Sequence, residues 1–334
     1  RDDVESRGLG DVYKRQKFAL YSVAFYNMEN LFDTIHDEGK NDYEYLPNGT
    51  NQWNTMKYKA KLKNMSEILS LLSTDKLPMG PAIIGVSEIE NYRVLEDILK
   101  QPALADRGYQ YVHYEGADQR GVDCAFFYNP KLFELTNSKL VPYVYINDTV
   151  HKTRGFLIAS GNIAGEKMHF IVNHWPSRAA ASPARERAGE QVRAIKDSLL
   201  REDSAAKIVI MGDMNDDPMD KSMAVALGAK RKPADVGPTD LYNPWWDTLK
   251  KGYGTLMYKG KWNLFDQIVF TGNLLGTDRS TLKFYKHEIF RRDFMFQKEG
   301  KYKGYPKRTQ AGGVWLNGYS DHLPTIIYLI KEVK

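Results

Sequence analysis

The sequence predicts an α/β protein in which two β-sheets pack face to face with helices outside. Three observations predict it. Short apolar runs rich in β-branched and aromatic residues outnumber helical patterns along the 334 residues. Several of these runs are joined by short turns and not by crossover helices, which disfavours a doubly wound parallel sheet. No internal repeat or low-complexity linker interrupts the pattern, so residues 17–334 are expected to form a single domain.

Phe18 to Tyr26 predicts the first strand. Tyr58 to Leu72 places Leu62, Met65, Leu69 and Leu72 on one helical face. Ala82 to Val86 reads as a short buried strand and Arg93 to Lys100 as a helix. Val122 to Tyr128, Phe156 to Ala159 and Met168 to Val172 predict further strands. Ala184 to Leu200 carries Ala188, Val192, Ile195 and Leu199 at helical spacing, with Ser182 and Pro183 as start signals. Lys207 to Met211, Leu264 to Phe270 and Thr325 to Ile330 complete the strands.

Arg1 to Gln16 stand apart. They carry four basic and four acidic residues, lack an initiator Met and show no apolar period. They resemble translated adapter sequence and are expected to be non-native or disordered. A genuine export signal would stand where this tract stands.

Composition narrows the function classes. No stretch approaches 18 consecutive apolar residues, so no helical membrane span is expected. The single cysteine, Cys124, excludes an intrachain disulfide framework and a Cys-rich zinc site. Net charge is +5, yet Lys283 to Arg308 alone holds nine Lys/Arg against three Asp/Glu. That stretch reads either as solvated surface or as a face for a polyanion. Trp245, Trp246 and Tyr242 read as packing residues ahead of a base-stacking or lipid-inserting cluster.

Polar residues gather where apolar strands stop. Asn27 and Glu29 follow the first strand, and Glu88 follows Ile83–Ser87. Asn173 and His174 follow Phe170–Val172, and Asp213 and Asn215 follow Ile208–Gly212. Asp321 and His322 precede the last strand. Asp266 lies inside Leu264–Val269, where an unpaired carboxylate is costly. Any one of these has an ordinary explanation as a loop residue; their recurrence at strand ends does not. Carboxylates and carboxamides without cysteine suit a hard cation such as Mg²⁺, Mn²⁺ or Ca²⁺. Two histidines beside it suit proton transfer and stabilisation of phosphoryl charge.

In order, Asn27-Met28-Glu29-Asn30, Ser87-Glu88, Asn173-His174, Gly212-Asp213-Met214-Asn215, Phe265-Asp266-Gln267-Ile268 and Ser320-Asp321-His322-Leu323-Pro324 resemble the endonuclease/exonuclease/phosphatase superfamily. The resemblance runs from about Phe18 to the C-terminus. It implies a four-layer αββα sandwich of two mixed sheets, with the site at one edge between them. It implies Glu88 as the main metal ligand with Asn27 and Asp321 nearby, holding Mg²⁺ or Mn²⁺, with Ca²⁺ an alternative. Asp213 would orient or deprotonate the attacking water, and Asn215 would hold a phosphate oxygen. Asp266 would polarise His322, and His174 would hydrogen-bond the phosphate. The base is left open between Asp213 and His322. Asn173, Arg178 and Arg120 are expected at the substrate; the segment Trp175-Pro176-Ser177-Arg178 departs from the usual nuclease sequence.

The function so implied is metal-dependent hydrolysis of a phosphoester by an activated water, nuclease- or phosphodiesterase-like. The substrate would be nucleic acid, a lipid headgroup or a small phosphoester. The alternative is a phosphomonoesterase on inositol-phosphate-like polyanions. A catalytically dead binding module is disfavoured by the complete residue set. No insertion for gripping a DNA duplex is evident. A monomer without an obligate protein partner is expected. Similarity to family members from gut Bacteroidales, which often carry an export signal, implies an exported protein.

Overall fold

A computed structural model describes residues 17–146, 148 and 150–333. The tract Arg1 to Gln16 lies outside the described residues. In chain order the strands are β1 (Lys17–Leu31), β2 (Ile83–Ile89), β3 (Gln110–His113), β4 (Asp123–Tyr128), β5 (Glu134–Val141), β6 (Phe156–Ile163), β7 (Glu166–His174), β8 (Lys207–Asp213), β9 (Ala229–Lys230), β10 (Leu241–Tyr242), β11 (Leu256–Tyr258), β12 (Lys261–Asn263), β13 (Asp266–Thr271), β14 (Lys283–Ile289), β15 (Gln310–Ala311), β16 (Val314–Trp315) and β17 (Thr325–Val333). The main helices are α1 (Thr55–Leu71), α2 (Tyr92–Leu99) and α3 (Ser182–Glu202).

One sheet has the order β14-β17-β1-β2-β4-β3, the other β5-β6-β7-β8-β13-β10-β9. Both are mixed: β1 runs parallel to β2 and antiparallel to β17, and β7 runs parallel to β8. Alternation along the strands builds three core layers. Val23 and Phe25 of β1 point inward with Ile327 and Leu329 of β17, and meet Phe170, Val209, Met211 and Ile268 of the other sheet. Ala24, Tyr26 and Tyr328 point outward under Met65 and Ile68 of α1 and Val94 and Ile98 of α2. On the far side Ile171, Ile208 and Ile210 pack under Ala188 and Val192 of α3. The order helix, sheet, sheet, helix is the four-layer α/β sandwich expected from the sequence.

The sheets approach closely at Gly85, where a Cβ would come within 2.5 Å of Met211 Sδ. Helix starts follow the sequence where a cap is present. Asn54 accepts from Lys57 N at α1, and Asn91 accepts from Arg93 N and Val94 N at α2. At α3 the expected start signals act differently: Ser182 is already helical, Ala181 occupies the cap without a side-chain bond, and Pro183 sits in the first turn.

The basic stretch is not one surface loop. Lys283–Ile289 is the edge strand β14. Arg291 lies over the rings of Trp262, Phe296 and Tyr253, and Arg292 over Phe290. Trp245 is fully buried and donates to Ile268 O, so it packs, as the sequence reading preferred. No helix among the described residues is long and apolar enough to cross a membrane.

Candidate active site

The strand registers bring the polar residues together. In the second sheet His174 of β7 pairs with Asp213 of β8, and Asp213 pairs with Asp266 of β13. Three strand ends therefore set two carboxylates and an imidazole side by side. The first sheet supplies Asn27 from β1, opposite Ser87 of β2. Just beyond, both strands slip register, and Glu29, Asn30 and Glu88 take left-handed backbone angles with φ of 44°, 54° and 58°. These bulges turn Glu88 across the gap toward the other sheet.

Asn27 joins the two sheets. Its Nδ2 donates to Glu88 Oε1 at 3.2 Å and to Asp213 Oδ2 at 3.0 Å, and its Oδ1 accepts from Glu29 N at 2.9 Å. Asn30 N donates to Glu88 Oε2 at 3.0 Å. His174 Nε2 lies 3.6 Å from Glu88 Oε1 and 3.7 Å from Asp213 Oδ2. Glu88, His174 and Asp213 each offer one ligand atom within 4.8 Å of the others. An oxygen-rich set of this kind, with one imidazole, fits a divalent cation.

His322 meets Asp266 through Nδ1, with 2.7 Å to Asp266 Oδ2. Its Nε2 lies 3.9 Å from Asp213 Oδ2 and 3.9 Å from Asp321 Oδ1. Burial alone would lower the pKa of His322, but Asp266 and Asp213 outweigh it and hold that pKa well above the ordinary value. For His174 burial acts in the same sense as the nearby Arg154 and Arg120, and holds the ring neutral. Burial pushes Asp213 up to about 7, reinforced by Asp266 and Glu88 and opposed by His322.

The structure places the expected residues unequally. Glu88, His174, Asp213, Asp266 and His322 converge. Asn27, expected as a metal ligand, presents its amide nitrogen to the carboxylates and positions them. Asp321, also expected as a ligand, has one oxygen 3.0 Å from Arg308 Nη2. Asn215 Nδ2 donates to Trp175 O at 3.0 Å, and its N–H to Asp213 Oδ1 at 2.9 Å. Asn173 is fully buried; its amide donates to Ile171 O and Met211 O and accepts from Trp175 Nε1. It braces the strand end, with both amide N–H groups taken by main-chain carbonyls. Arg178 is held by Asp216, Asp220 and Asn215 O and stacks on Phe265 at 4.4 Å. Arg120 is exposed at the rim, paired loosely with Asp118 at 3.6 Å.

Sequence reasoning missed a buried ionic group beneath the site. Glu29 is held by Arg308 Nε at 2.7 Å and Thr309 N at 2.7 Å. Lys61 of α1, fully buried, donates to Thr309 Oγ1 and to Tyr319 O at 2.7 Å. Burial raises Glu29 to about 7 and lowers Lys61 to about 8. The available signal was a lysine on the apolar face of α1. A second missed pair, Arg154 with Asp118 at 2.9 Å, fixes the backbone of His174 and Trp175 through Arg154 Nε and Nη2.

The sequence pattern of the Endonuclease/Exonuclease/phosphatase family matches residues 22–331. No curated protein matches the sequence. Among solved structures, an endonuclease/exonuclease/phosphatase family protein from Bacteroides thetaiotaomicron superposes with a TM-score of 0.59 at 15% identity, covering 95% of this chain and 97% of that one. A mannosyl-6-phosphatase of the same organism gives 0.57 at 14%, covering 92% and 99%. D. rerio TDP2 complexed with a single-strand DNA product gives 0.54 at 15%, covering 93% and 99%.

Proposed function

The chain belongs to the Endonuclease/Exonuclease/phosphatase family, and on that premise we propose that it hydrolyses a small phosphoester with a water deprotonated by Asp213 beside a Mg²⁺ or Mn²⁺ ion held at Glu88. The observation that carries the reading is the position of Asp213. Its Oδ2 receives Asn27 at 3.0 Å and faces the Nε2 atoms of His174 at 3.7 Å and His322 at 3.9 Å. A carboxylate with a raised pKa and an imidazolium with a raised pKa, set side by side, divide into base and acid.

Glu88 would hold the ion, with Asn27 keeping the two carboxylates in place. When bound, the ion neutralises charge on the non-bridging oxygens and acidifies water. Asp213 takes the proton of the attacking water. Asp266 fixes the Nδ1–H of His322, so Nε2–H faces the phosphate and gives its proton to the departing alkoxide as the P–O bond breaks. Neutral His174 donates a hydrogen bond to a phosphate oxygen and leaves charge compensation to the ion.

Two features favour a small ester over a polymer. Arg178 is occupied by carboxylates, and the basic stretch 283–308 is divided between an edge strand and stacked arginines. The test is turnover of p-nitrophenyl phosphate and bis-p-nitrophenyl phosphate in Mg²⁺ and in EDTA, for wild type and Glu88→Ala. Mg²⁺-dependent turnover that Glu88→Ala reduces by about 10²-fold or more is expected, as for loss of an electrostatic stabiliser. A Glu88→Ala protein at wild-type rate in excess EDTA would end the metal reading.

A further inference from the structure

A second group of metal-ligating side chains stands apart from the proposed catalytic site, on the outer face of the first sheet. Alternation along β4 turns Cys124 and Phe126 toward the other sheet and Ala125 and Phe127 outward. Asp123, at the start of the strand, has the outward parity. On β3 His113 is the cross-strand partner of Ala125, so it lies on the same face, diagonal to Asp123. Glu115 follows two residues later, and the three side chains converge. Each offers one ligand atom, and these atoms lie within 4.8 Å of one another.

Two of the three are held in place by the fold. The side chains of His113 and Asp123 are only 5% and 4% exposed, with His113 Nε2 3.1 Å from Asp123 Oδ2. Gly116 N donates to the same oxygen at 3.0 Å. Asp123 Oδ1 receives no hydrogen bond from the described residues. A Cβ at position 116 would stand 2.1 Å from that oxygen, so glycine keeps it open. Glu115 stands at the surface, which leaves the third corner accessible to an incoming ion. Among the described residues its carboxylate has neither a hydrogen bond nor an ion pair. Lys40, whose charge acts on Glu115, spends its Nζ on Gly116 O at 2.8 Å and Asp118 O at 3.2 Å. Two carboxylates and an imidazole therefore face one another without a paired cation, and a dication offsets their repulsion. An imidazole with two carboxylates suits Zn²⁺, which accepts nitrogen and oxygen ligands and fills a fourth position with water. Mg²⁺ prefers oxygen alone and dehydrates reluctantly.

We propose that His113, Glu115 and Asp123 bind a Zn²⁺ ion that closes the loop between β3 and β4. The ion joins the two ends of residues 114–122. That loop carries Asp118, whose Oδ2 accepts from Arg154 Nη1 at 2.9 Å, and Arg154 in turn donates to His174 O and Trp175 O. Zinc thus braces the loop against which the backbone of His174 is held, and takes no part in the hydrolysis itself.

The test removes the proposed catalytic ligand first, so that the two sites are read separately. Glu88→Ala protein is titrated with Zn²⁺ in excess Mg²⁺ by calorimetry, alone and combined with Glu115→Gln or with His113→Asn. The ¹H–¹⁵N shifts of the His113 ring are followed in the same samples. Glu115 is at the surface, so Glu115→Gln reports on ligation without disturbing the packing, and equal urea midpoints without zinc check this. The expected result is saturable uptake by Glu88→Ala with a shift of the His113 ring nitrogens. Adding Glu115→Gln should weaken that uptake by about 10²-fold, the upper range for losing even a group behind a ligand. Equal zinc affinity with and without Glu115, a His113 ring that does not respond, or no uptake at all overturns the proposal and leaves His113 and Asp123 as a plain hydrogen-bonded pair.

Discussion

Replacing Asp266 by asparagine isolates the dyad. Asp266 is fully buried, and its Oδ2 lies 2.7 Å from His322 Nδ1. Burial by itself would drive His322 neutral, and Asp266 is the largest of the groups that reverse this. The substitution keeps the shape of the side chain and removes its charge, so the desolvation penalty goes uncompensated and His322 loses its proton near neutral pH. The site then lacks both the acid for the leaving group and a positive charge at the phosphate. A positioned acid–base group is worth about 10²–10⁴ in rate, or roughly 3 to 5 kcal/mol at the barrier. Asp266→Asn is therefore expected to lower kcat by that factor with little change in Mg²⁺ affinity. His322→Ala should cost a similar amount, and the double variant little more, because the two act as a unit. Steady-state kinetics, melting temperatures and the ¹H–¹⁵N shifts of His322 from pH 5 to 9 read all three consequences. A full-rate Asp266→Asn protein, or additive losses in the double variant, refutes the reasoning and leaves Asp266 as a stabiliser of the strand end.

Lys61→Met removes one charge from the buried group formed with Glu29 and Arg308; stability should fall by about 3 kcal/mol, the low end for breaking a buried pair, and an unchanged urea midpoint would show that Lys61 is dispensable. His287 packs against Trp245 with ring centroids 4.8 Å apart and has Nε2 2.9 Å from Thr248 Oγ1. Burial, with a contribution from Lys251, lowers it to about 4. The unfolded chain, with His near 6.5, binds the proton first, so this stabilisation is complete above about pH 6.5 and is lost as pH falls toward 4. Urea melts between pH 7.5 and 4 should lose on the order of 3 kcal/mol from this group, and His287→Gln should remove that part of the slope; equal slopes in both proteins would exclude it.

The layers were legible because β-strand alternation survives in the sequence: Val23 and Phe25 face one way, Ala24 and Tyr26 the other. Asp266 was legible for the opposite reason, as a carboxylate inside an apolar run, and His322 by its place directly before the last strand. Strand β14 was hidden because Lys283, Lys286, His287 and Glu288 sit on an edge strand where solvent accepts charge. Arg308 could not be placed from its neighbours, since its partner Glu29 lies 279 positions away. Asn27 shows a further limit. Its place at the strand end was legible, but whether its oxygen or its nitrogen faces the carboxylates depends on Glu29 N, and that is a matter of backbone bulge and not of sequence spacing.

The bulges connect stability to chemistry. Glu29, Asn30, Glu88 and Asn215 have φ of 44°, 54°, 58° and 52°, in a region that costs a non-glycine residue roughly 1 kcal/mol or more. Glycine would remove that cost at each position. Three of these conformations are instead held by a hydrogen bond that belongs to the site: Glu29 N to Asn27 Oδ1, Asn30 N to Glu88 Oε2, and Asn215 N to Asp213 Oδ1. The strained turns aim main-chain donors at the side chains of Asn27, Glu88 and Asp213, which fixes the two carboxylates against their mutual repulsion before any ion binds. Part of the folding free energy is thus stored as orientation of Glu88 and Asp213, so that a cation and a phosphate bound as proposed would meet groups that need little rearrangement.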